Sequence, residues 1–482
     1  MIDDNMAYQA LLSRDPRFDG VFFVGVTSTG IYCRPICPAK TPKQENCRFF
    51  ESHEAAEKEF FRPCLRCRPE LAPGNAPVDG SRRMANLILH RIEEHLVHEG
   101  TNLEDIARQC ELSSRQLRRI VQNEFGVSPI ELIQTRRLLL AKQLLTETSL
   151  SITNIAFASG FSSLRRFNDA FSTHYKMPPT RLRKKAVDKE EEGNGVDTLT
   201  LQLSYRPPYD WDSILAFLGA RLIQGVEHVS DGYSRTVGIG KHKGWIKVTH
   251  ALEKKALMVE LTHSLTPVLP VLLSRLRNLF DLSSRPDLIA AHLIKDERLK
   301  NSVSRNPGLR VPGAFDAFEM AIRAILGQQI TVKAATTIAC RFAAAFGEKI
   351  ETPFPELCQL SPLPDCIARL GVSDIAELGI IRTRAQSILT LAEAFLSGDI
   401  QLNAGTNPEI AIKKLVSFPG IGPWTAHYIA MRALHWPDAF PKEDIAVRNN
   451  LGGISSKEAE EMSQDWRPWR SYAVMHIWKN LS

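Results

Sequence analysis

Apolar residues change their spacing along the chain, and the changes mark off four stretches. From about residue 81 to 185 they recur at helical intervals, as in Leu103-Glu104-Asp105-Ile106-Ala107, which predicts a helical segment throughout. From Thr198 the pattern turns to short alternating runs, Leu199-Thr200-Leu201-Gln202-Leu203 and Trp245-Ile246-Lys247-Val248, which suit half-buried strands. After about Asp296 the chain reads as helical again, with Gly and Pro punctuating helices. Two breaks read as linkers: Leu71–Pro77, with two prolines and a glycine, and the charged, Gly-punctuated run Lys189–Gly195. The expected domains are therefore 1–75, 81–186 (all-α), 197–295 (α+β, an antiparallel sheet with helices) and 296–482 (all-α).

The length of 482 residues agrees with several folding units, since one domain typically takes roughly 100–200 residues. With 44% hydrophobic and 24% charged residues, neither a disordered nor a fibrous chain fits. No apolar run approaches the ~18 residues of a membrane span, and the start Met1-Ile2-Asp3-Asp4 is acidic where a secretory signal is basic and then apolar, so an intracellular protein is expected. The net charge of +6 is concentrated: residues 81–186 hold 17 Lys and Arg against 10 Asp and Glu. Five of the nine cysteines lie between Cys33 and Cys67, which in a reducing compartment points to metal binding or reactive thiols.

Cys33 and Cys37 are separated by three residues and Cys64 and Cys67 by two. Paired spacings of this kind let four thiolates converge on one tetrahedral Zn2+; a closed, purely structural site is the plain alternative. The wording Thr29-Gly30-Ile31-Tyr32-Cys33-Arg34-Pro35-Ile36-Cys37, followed by Phe61-Arg62-Pro63-Cys64-Leu65-Arg66-Cys67, resembles the zinc domain of Ada-type methylation sensors over about the first 70 residues. The resemblance implies a small zinc-bound α/β domain in which Cys33 is both ligand and irreversible acceptor of a methyl group from a DNA phosphotriester. It makes Cys37, Cys64 and Cys67 the other ligands, and Arg62 and Arg66 DNA contacts. Four thiolates give the site a formal charge of −2, and methylation reduces it to −1, so repulsion of DNA phosphates falls. Cys47 reads as an ordinary small side chain.

Within the basic segment, Leu103 to Arg119 has the spacing of a helix, a short turn and a second helix, and Ile152 to Phe167 repeats the plan with Gly160 at the turn. Ser114 and Ser162 are the expected N-caps, placing Arg115, Arg118, Arg165 and Arg166 near helix ends that enter the major groove. The doubled motif, ending in Tyr175-Lys176-Met177-Pro178-Pro179, resembles the AraC-type DNA-binding domain. The resemblance implies promoter DNA and RNA polymerase as partners. Two recognition helices on one chain let a monomer suffice.

In Phe418-Pro419-Gly420-Ile421-Gly422-Pro423-Trp424-Thr425, two glycines form a tight turn before a helix, which offers backbone N–H groups to a DNA phosphate without reading bases. About 20 residues later, Phe440-Pro441-Lys442-Glu443-Asp444 brings carboxylates to another helix start. With Pro207-Pro208-Tyr209-Asp210-Trp211, Ala324-Ile325-Leu326-Gly327-Gln328-Gln329 and Trp469-Arg470-Ser471-Tyr472-Ala473, this resembles the helix-hairpin-helix DNA glycosylases, and within them 3-methyladenine DNA glycosylase II, from about Thr198 onward. By that resemblance Asp444 is the catalytic carboxylate, and Trp424, Tyr428, Trp478 and Phe217 line the base pocket. Gly420, Gly422 and Thr425 meet DNA, Gln329 lies at the wedge that fills the vacated stack, and the hairpin takes a monovalent cation. A base alkylated at N3 or N7 is cationic, stacks on electron-rich indoles and leaves without a proton, so one carboxylate and no organic cofactor are enough. Bifunctional relatives carry a lysine where Trp424 stands, so a monofunctional enzyme is expected. Ile445 departs from the aromatic residue that can occur there. Taken alone, Asp444 reads as a helix N-cap, the tryptophans as core and Glu443 as a solvated neighbour.

The expected function is hydrolytic removal of alkylated purines from double-stranded DNA, fused to methylphosphotriester sensing and transcription activation in a cytoplasmic, nucleoid-associated bacterial protein without a membrane partner. A regulator with a non-catalytic, DNA-clamping module is the alternative. The Pro-Cys-His-Arg motif of O6-methylguanine methyltransferases does not occur in the sequence, so repair of that lesion is not expected.

Overall fold

The computed structural model describes residues 3–73, 84–85, 87–89, 91–92, 103–110, 112–187, 198–402 and 406–479. Both linker readings lie outside these residues, except for Leu71–Pro73. The chain forms two compact units: Met1–Pro207 with His250–Ser274 and Leu282–Ser284, and Pro208–Thr249 with Arg275–Asp281 and Arg285–Ser482. Among the described residues no helix is long and apolar enough to cross a membrane.

The first unit opens with helix α1 (Asp4–Leu12) and a four-stranded sheet of order β3-β1-β2-β4, made of β1 (Phe23–Val26), β2 (Ile31–Cys33), β3 (Cys47–Phe50) and β4 (Arg62–Pro63). Strand β1 runs antiparallel to β2 and β3, and β2 runs parallel to β4 with Ile31 opposite Arg62. This register brings the first cysteine pair beside the second. Ala7, Ala10 and Leu11 of α1 bury against Phe22 and Val24. Helix α2 (His53–Lys58) starts at Ser52, whose hydroxyl accepts from the Ala55 N–H.

The helical part comprises α3 (Leu103–Gln109), α4 (Ser114–Phe125), α5 (Pro129–Glu147), α6 (Ile152–Ala158), α7 (Leu164–Tyr175) and α8 (Pro179–Val187). The caps fall one residue from the expected serines. Ser113 caps α4 in a reciprocal box with Gln116, because Gln116 is three residues after Ser113 and its side chain returns to the Ser113 N–H. Ser163, not Ser162, caps α7, and Ser162 instead accepts from the Arg166 side chain. Gly160 takes φ 81° at the turn between α6 and α7, a conformation glycine adopts without Cβ strain.

Helix α5 also carries the seam with the cysteine-rich part. Lys142, 1% exposed, donates to the Cys64 carbonyl at 3.2 Å and pairs with Glu70. Arg136 meets Glu54 at 2.9 Å, the Thr135 hydroxyl donates to Glu57 at 2.8 Å, and Arg68 pairs with Glu147 at 2.8 Å. Buried ion pairs add little net stability, but removing one partner costs about 3–5 kcal/mol, so this seam enforces a specific fit. The unit is completed by strand Thr198–Ser204, which pairs antiparallel along its length with Ala256–Thr262 and buries Leu199, Leu201 and Leu203.

In the second unit, strand Tyr233–Ile239 pairs antiparallel with Glu227–Val229 and with His242–Ala251. Its helices include α9 (Trp211–Gly219), α10 (Ala317–Leu326), α11 (Val332–Phe346), α12 (Arg382–Ser397), α13 (Pro408–Ser417), α14 (Pro423–Arg432), α15 (Ile445–Asn450) and α16 (Arg470–Lys479). Their apolar faces meet in one core that includes Phe318, Ile325, Ile388, Leu415, Ile429 and Phe440. A buried network runs from Arg235 to Glu319 at 2.8 Å and from Arg323 to Glu227 at 3.0 Å, fixing α10 against the strands.

Candidate active site and metal centre

Helices α13 and α14 are joined by Phe418–Gly422. Gly420 takes φ 80°, and a Cβ there would collide with the Ser387 hydroxyl, which donates to the Pro419 carbonyl at 2.8 Å. Glycine is thus required twice over, by conformation and by space. Gly422 has an ordinary φ of −87° and open space around it. It is the N-cap of α14 without a side-chain cap, and Pro423 follows, so the N–H groups of Trp424 and Thr425 point out of the helix end without a hydrogen-bond partner among the described residues. A ten-residue helix with its dipole behind such groups offers donors of the kind that phosphate oxygens accept from.

Thr425 itself differs from expectation. Its side chain is 2% exposed and accepts from Gln328 Nε2 at 3.0 Å, because this turn of α14 packs inward; only its backbone is available to DNA. Gln328 also donates to the Gly420 carbonyl at 2.8 Å, and Arg384 of α12 donates to the Gln328 carbonyl. These bonds hold the turn between α10 and α11. Gln329, at its tip, is exposed with φ 55°. A non-glycine residue in the left-handed region costs roughly 1–2 kcal/mol, and such strain gathers at functional positions.

Across the hairpin, α14 and α15 bring the polar centre together. Asp444, 9% exposed, accepts from Trp424 Nε1 at 2.9 Å, from Trp478 Nε1 at 3.3 Å and from the Val447 N–H at 2.9 Å. The last bond makes it the N-cap of α15, so the plain reading of this residue and the functional one describe the same side chain. All three partners are donors, which uses the carboxylate purely as an acceptor. Trp424 and Tyr428 stack with centroids 5.3 Å apart and planes 8° apart, and Trp478 lies 6.3 Å from Tyr428. Ile445, next to Asp444 in the chain, is 71% exposed. Glu443 departs from its expected solvation: it is half-buried, and its Oε2 is shielded without a hydrogen-bond partner.

Two arginines not anticipated from sequence stand against these aromatic rings. Arg432 is buried, donates to Tyr428 Oη at 2.9 Å, and stands 4.8 Å over the Phe217 ring. Arg221 covers the same ring at 3.8 Å. The spacing Tyr428–Arg432, four residues on a helix, was the available signal for one of them; Arg221 lies past the end of α9. Burial pushes the Tyr428 hydroxyl up, but Arg432, Arg221 and Arg323 outweigh it and hold the group below the ordinary tyrosine value.

In the first unit the Sγ atoms of Cys33, Cys37, Cys64 and Cys67 all lie within 4.8 Å of one another. A tetrahedron with Zn–S bonds of about 2.3 Å needs sulfurs about 3.8 Å apart, so the cluster fits zinc. Cys33 is half-buried while the other three are buried. The N–H groups of Arg34 and Arg66 point at Cys67 and Cys64 sulfurs at 3.4 and 3.3 Å. Arg34 is itself buried against Asp19 and donates to the Cys67 carbonyl at 3.2 Å. Cys47 stands apart, donating to the Lys43 carbonyl. Arg66 is exposed, whereas Arg62 turns to the Tyr175 carbonyl at 3.5 Å.

Helices α4 and α7 each bury one face, Leu117 and Val121 in α4, Phe167 and Phe171 in α7. Arg115, Arg118, Arg165 and Arg166 are exposed on the other, with Arg165 93% so. Nothing among the described residues diverts these four guanidinium groups into the core.

Family models match in four segments: the metal binding domain of Ada over residues 6–70, a helix-turn-helix domain over 106–185, the AlkA N-terminal domain over 200–316, and the HhH-GPD superfamily base excision DNA repair protein over 322–470. The chain is thus a DNA-binding fusion of an Ada-type zinc domain, a helix-turn-helix domain and a base-excision glycosylase fold. It is 35% identical over 485 residues to a probable bifunctional transcriptional activator/DNA repair enzyme AlkA of Mycobacterium tuberculosis, covering 99% of this chain and 97% of that one. The chain belongs to this family of AlkA-type bifunctional transcriptional activator/DNA repair enzymes. DNA-3-methyladenine glycosylase 2 of Escherichia coli is 35% identical over 57% of this chain and 95% of its own. Among solved structures, a 3-methyladenine DNA-glycosylase from Archaeoglobus fulgidus shares the fold, with a TM-score of 0.50 and 20% identity over 57% of this chain and 96% of its own.

Proposed function

We propose that the glycosylase half removes alkylated purines such as 3-methyladenine as a monofunctional hydrolase. Asp444 is the carboxylate that stabilises the developing oxocarbenium sugar, and Trp424, Tyr428, Trp478 and Phe217 form the pocket for the flipped base. The observation that carries this reading is the position of Asp444, bonded by two indoles that also supply the pocket wall. A cationic base stacks on these electron-rich rings and leaves as a neutral molecule. Fixed N–H donors hold the carboxylate in place before the reaction begins, so little reorganisation accompanies charge development. The hairpin N–H groups grip the backbone, and Gln329 enters the stack as the base leaves it.

We assign methyl acceptance to Cys33, supported by its being the more accessible of the four thiols. Zinc, when bound, keeps thiolates ionised near neutral pH. The Cys33 sulfur attacks the methyl carbon of a phosphotriester; the C–O bond breaks with its electron pair on the phosphate oxygen, giving a thioether and a phosphodiester. The site loses one negative charge and repels DNA less, which turns damage into promoter binding through α4 and α7. RNA polymerase as partner, a monomeric state and a monovalent cation at the hairpin belong to the same reading.

Release of 3-methyladenine from alkylated duplex DNA tests the first part, with Asp444→Asn compared at matched DNA occupancy. Release that falls by on the order of 10²-fold or more in the variant is expected. A wild-type protein that binds DNA and frees no base would transfer the assignment to a non-catalytic clamp. For Cys33, a +14 Da adduct after exposure to methylphosphotriester DNA is expected, and its absence leaves a structural zinc site.

A further inference from the structure

Two runs of contacts leave the thiolate cluster, each from the residue that follows a cysteine, and both end at strand Thr198–Ser204 or just past it. The first starts at Arg34, beside Cys33. Its N–H points at Cys67 Sγ, and its guanidinium bonds the Asp19 carboxylate, Nε to Oδ1 at 2.8 Å. The Asp19 carbonyl in turn accepts from Arg206 Nε at 2.8 Å. Arg206, 1% exposed and two residues past the strand, also donates to the carbonyls of Pro73 and Ser283, each at 3.1 Å. Gly20, at φ 72°, lets these groups close up, since a Cβ there would strike the Pro73 oxygen.

The second run starts at Arg68, beside Cys67, which pairs with Glu147 at 2.8 Å. Glu147 accepts from the Gln202 N–H at 3.2 Å and from Gln143 Nε2 at 2.8 Å, and Gln143 donates to the Gln202 carbonyl at 3.1 Å. Among the described residues the strand has a strand neighbour on one side only, Ala256–Thr262. On its open side, Glu147 and Gln143 of α5 take the place of a further strand at Gln202. Both runs lie within the first unit.

We propose that these contacts couple the metal centre to the anchoring of strand Thr198–Ser204, so that the Ada-type zinc domain and the first strand of the AlkA-type part order one another. The inference rests on the zinc reading of the cluster. With four cysteines held on one ion, the backbones of Arg34 and Arg68 are held too, and Asp19 and Glu147 become preformed acceptors for Arg206 and Gln202. Ordering done once by the ion is then not repeated when the strand docks. The linkage is reciprocal: the factor by which the ion tightens the strand is the factor by which the anchored strand tightens the ion.

Zinc affinity of the full chain is measured by competition with a chromogenic chelator for wild type, Arg206→Met and Gln143→Ala. Arg235→Met, which breaks a buried ion pair in the second unit, is the control. Affinity is expected to fall on the order of 10-fold in the first two variants and to keep the wild-type value in the control. Amide exchange over residues 198–204, followed by mass spectrometry with and without zinc, reads the reverse direction. Zinc is expected to slow it in wild type by a similar factor and in Gln143→Ala by much less; this milder variant decides the matter should Arg206→Met not fold. Wild-type affinity in both junction variants, or an equal fall in Arg235→Met, would overturn the coupling and leave these contacts as plain packing. A chain that takes up no zinc would overturn the zinc reading itself.

Discussion

Trp424 Nε1 and Asp444 Oδ2 are 2.9 Å apart, joining residues that stand on different helices and 20 positions apart in the chain. The indole braces the carboxylate through its N–H, and in the proposed function its face is also a wall of the base pocket. Trp424→Phe separates the two duties by keeping an aromatic face and removing the N–H. Release of 3-methyladenine is expected to fall roughly 10-fold, a hydrogen bond to a charged group being worth about 1.5 kcal/mol or more. Single-turnover rates, compared with Asp444→Asn, check this; a loss as large as that of Asp444→Asn would mean that the carboxylate depends wholly on the brace, and no loss that the face alone matters.

The two hairpin glycines should respond differently to alanine. Gly420→Ala meets both a left-handed backbone and the Ser387 hydroxyl, and a loss of about 1–2 kcal/mol or more in a urea titration is expected. Gly422→Ala should fold normally, its Cβ meeting open space, and bind DNA more weakly if this helix end grips a phosphate as proposed. Urea midpoints and DNA titrations of the pair distinguish these outcomes.

Several of these features were legible from residue order alone. The alternation over Leu199–Leu203 gave a strand with its leucines inward, and the paired cysteine spacings gave four sulfurs in one cluster. Ser113 could have been chosen over Ser114, because Gln116 stands at the capping-box distance. Gln328 was beyond reach: its partners Gly420 and Thr425 lie 92 and 97 residues away, and no local pattern encodes a bond between distant turns. Beyond its four-residue spacing from Tyr428, Arg432 carries no distinguishing local pattern either, being a basic residue at a helix end. Only the fold brings it beneath the carbonyls of Pro312 and Gly313, more than a hundred residues upstream.

At the seam of the first unit, Lys142→Met should leave Glu70 buried beside Arg68 with its nearest ammonium gone. A loss of about 3–5 kcal/mol is expected, with partial recovery in the double variant Lys142→Met, Glu70→Leu. Denaturant unfolding of the four members of this cycle measures the coupling directly.

Acid should destabilise the second unit through two histidines. Burial depresses His427 and His476 to about 4, so the folded chain keeps them neutral while the unfolded chain protonates them near 6.5. Their contribution is complete above pH 6.5 and is lost as pH falls toward 4, by about 3 kcal/mol each at most. Urea midpoints between pH 7 and pH 4.5 should show this slope, and His476→Gln should flatten it; an unchanged slope would assign the acid sensitivity to other groups.

Glu54, Glu57 and Glu70 face Arg136, Thr135 and Lys142 across a boundary that carries charge and hydroxyls on both banks. Were the two banks to part, water would hydrate each at once, and neither would present a greasy scar that invites aggregation. A cysteine-rich part joined to its helices in this way meets them in one fit, because each buried charge is satisfied only when its own partner stands opposite.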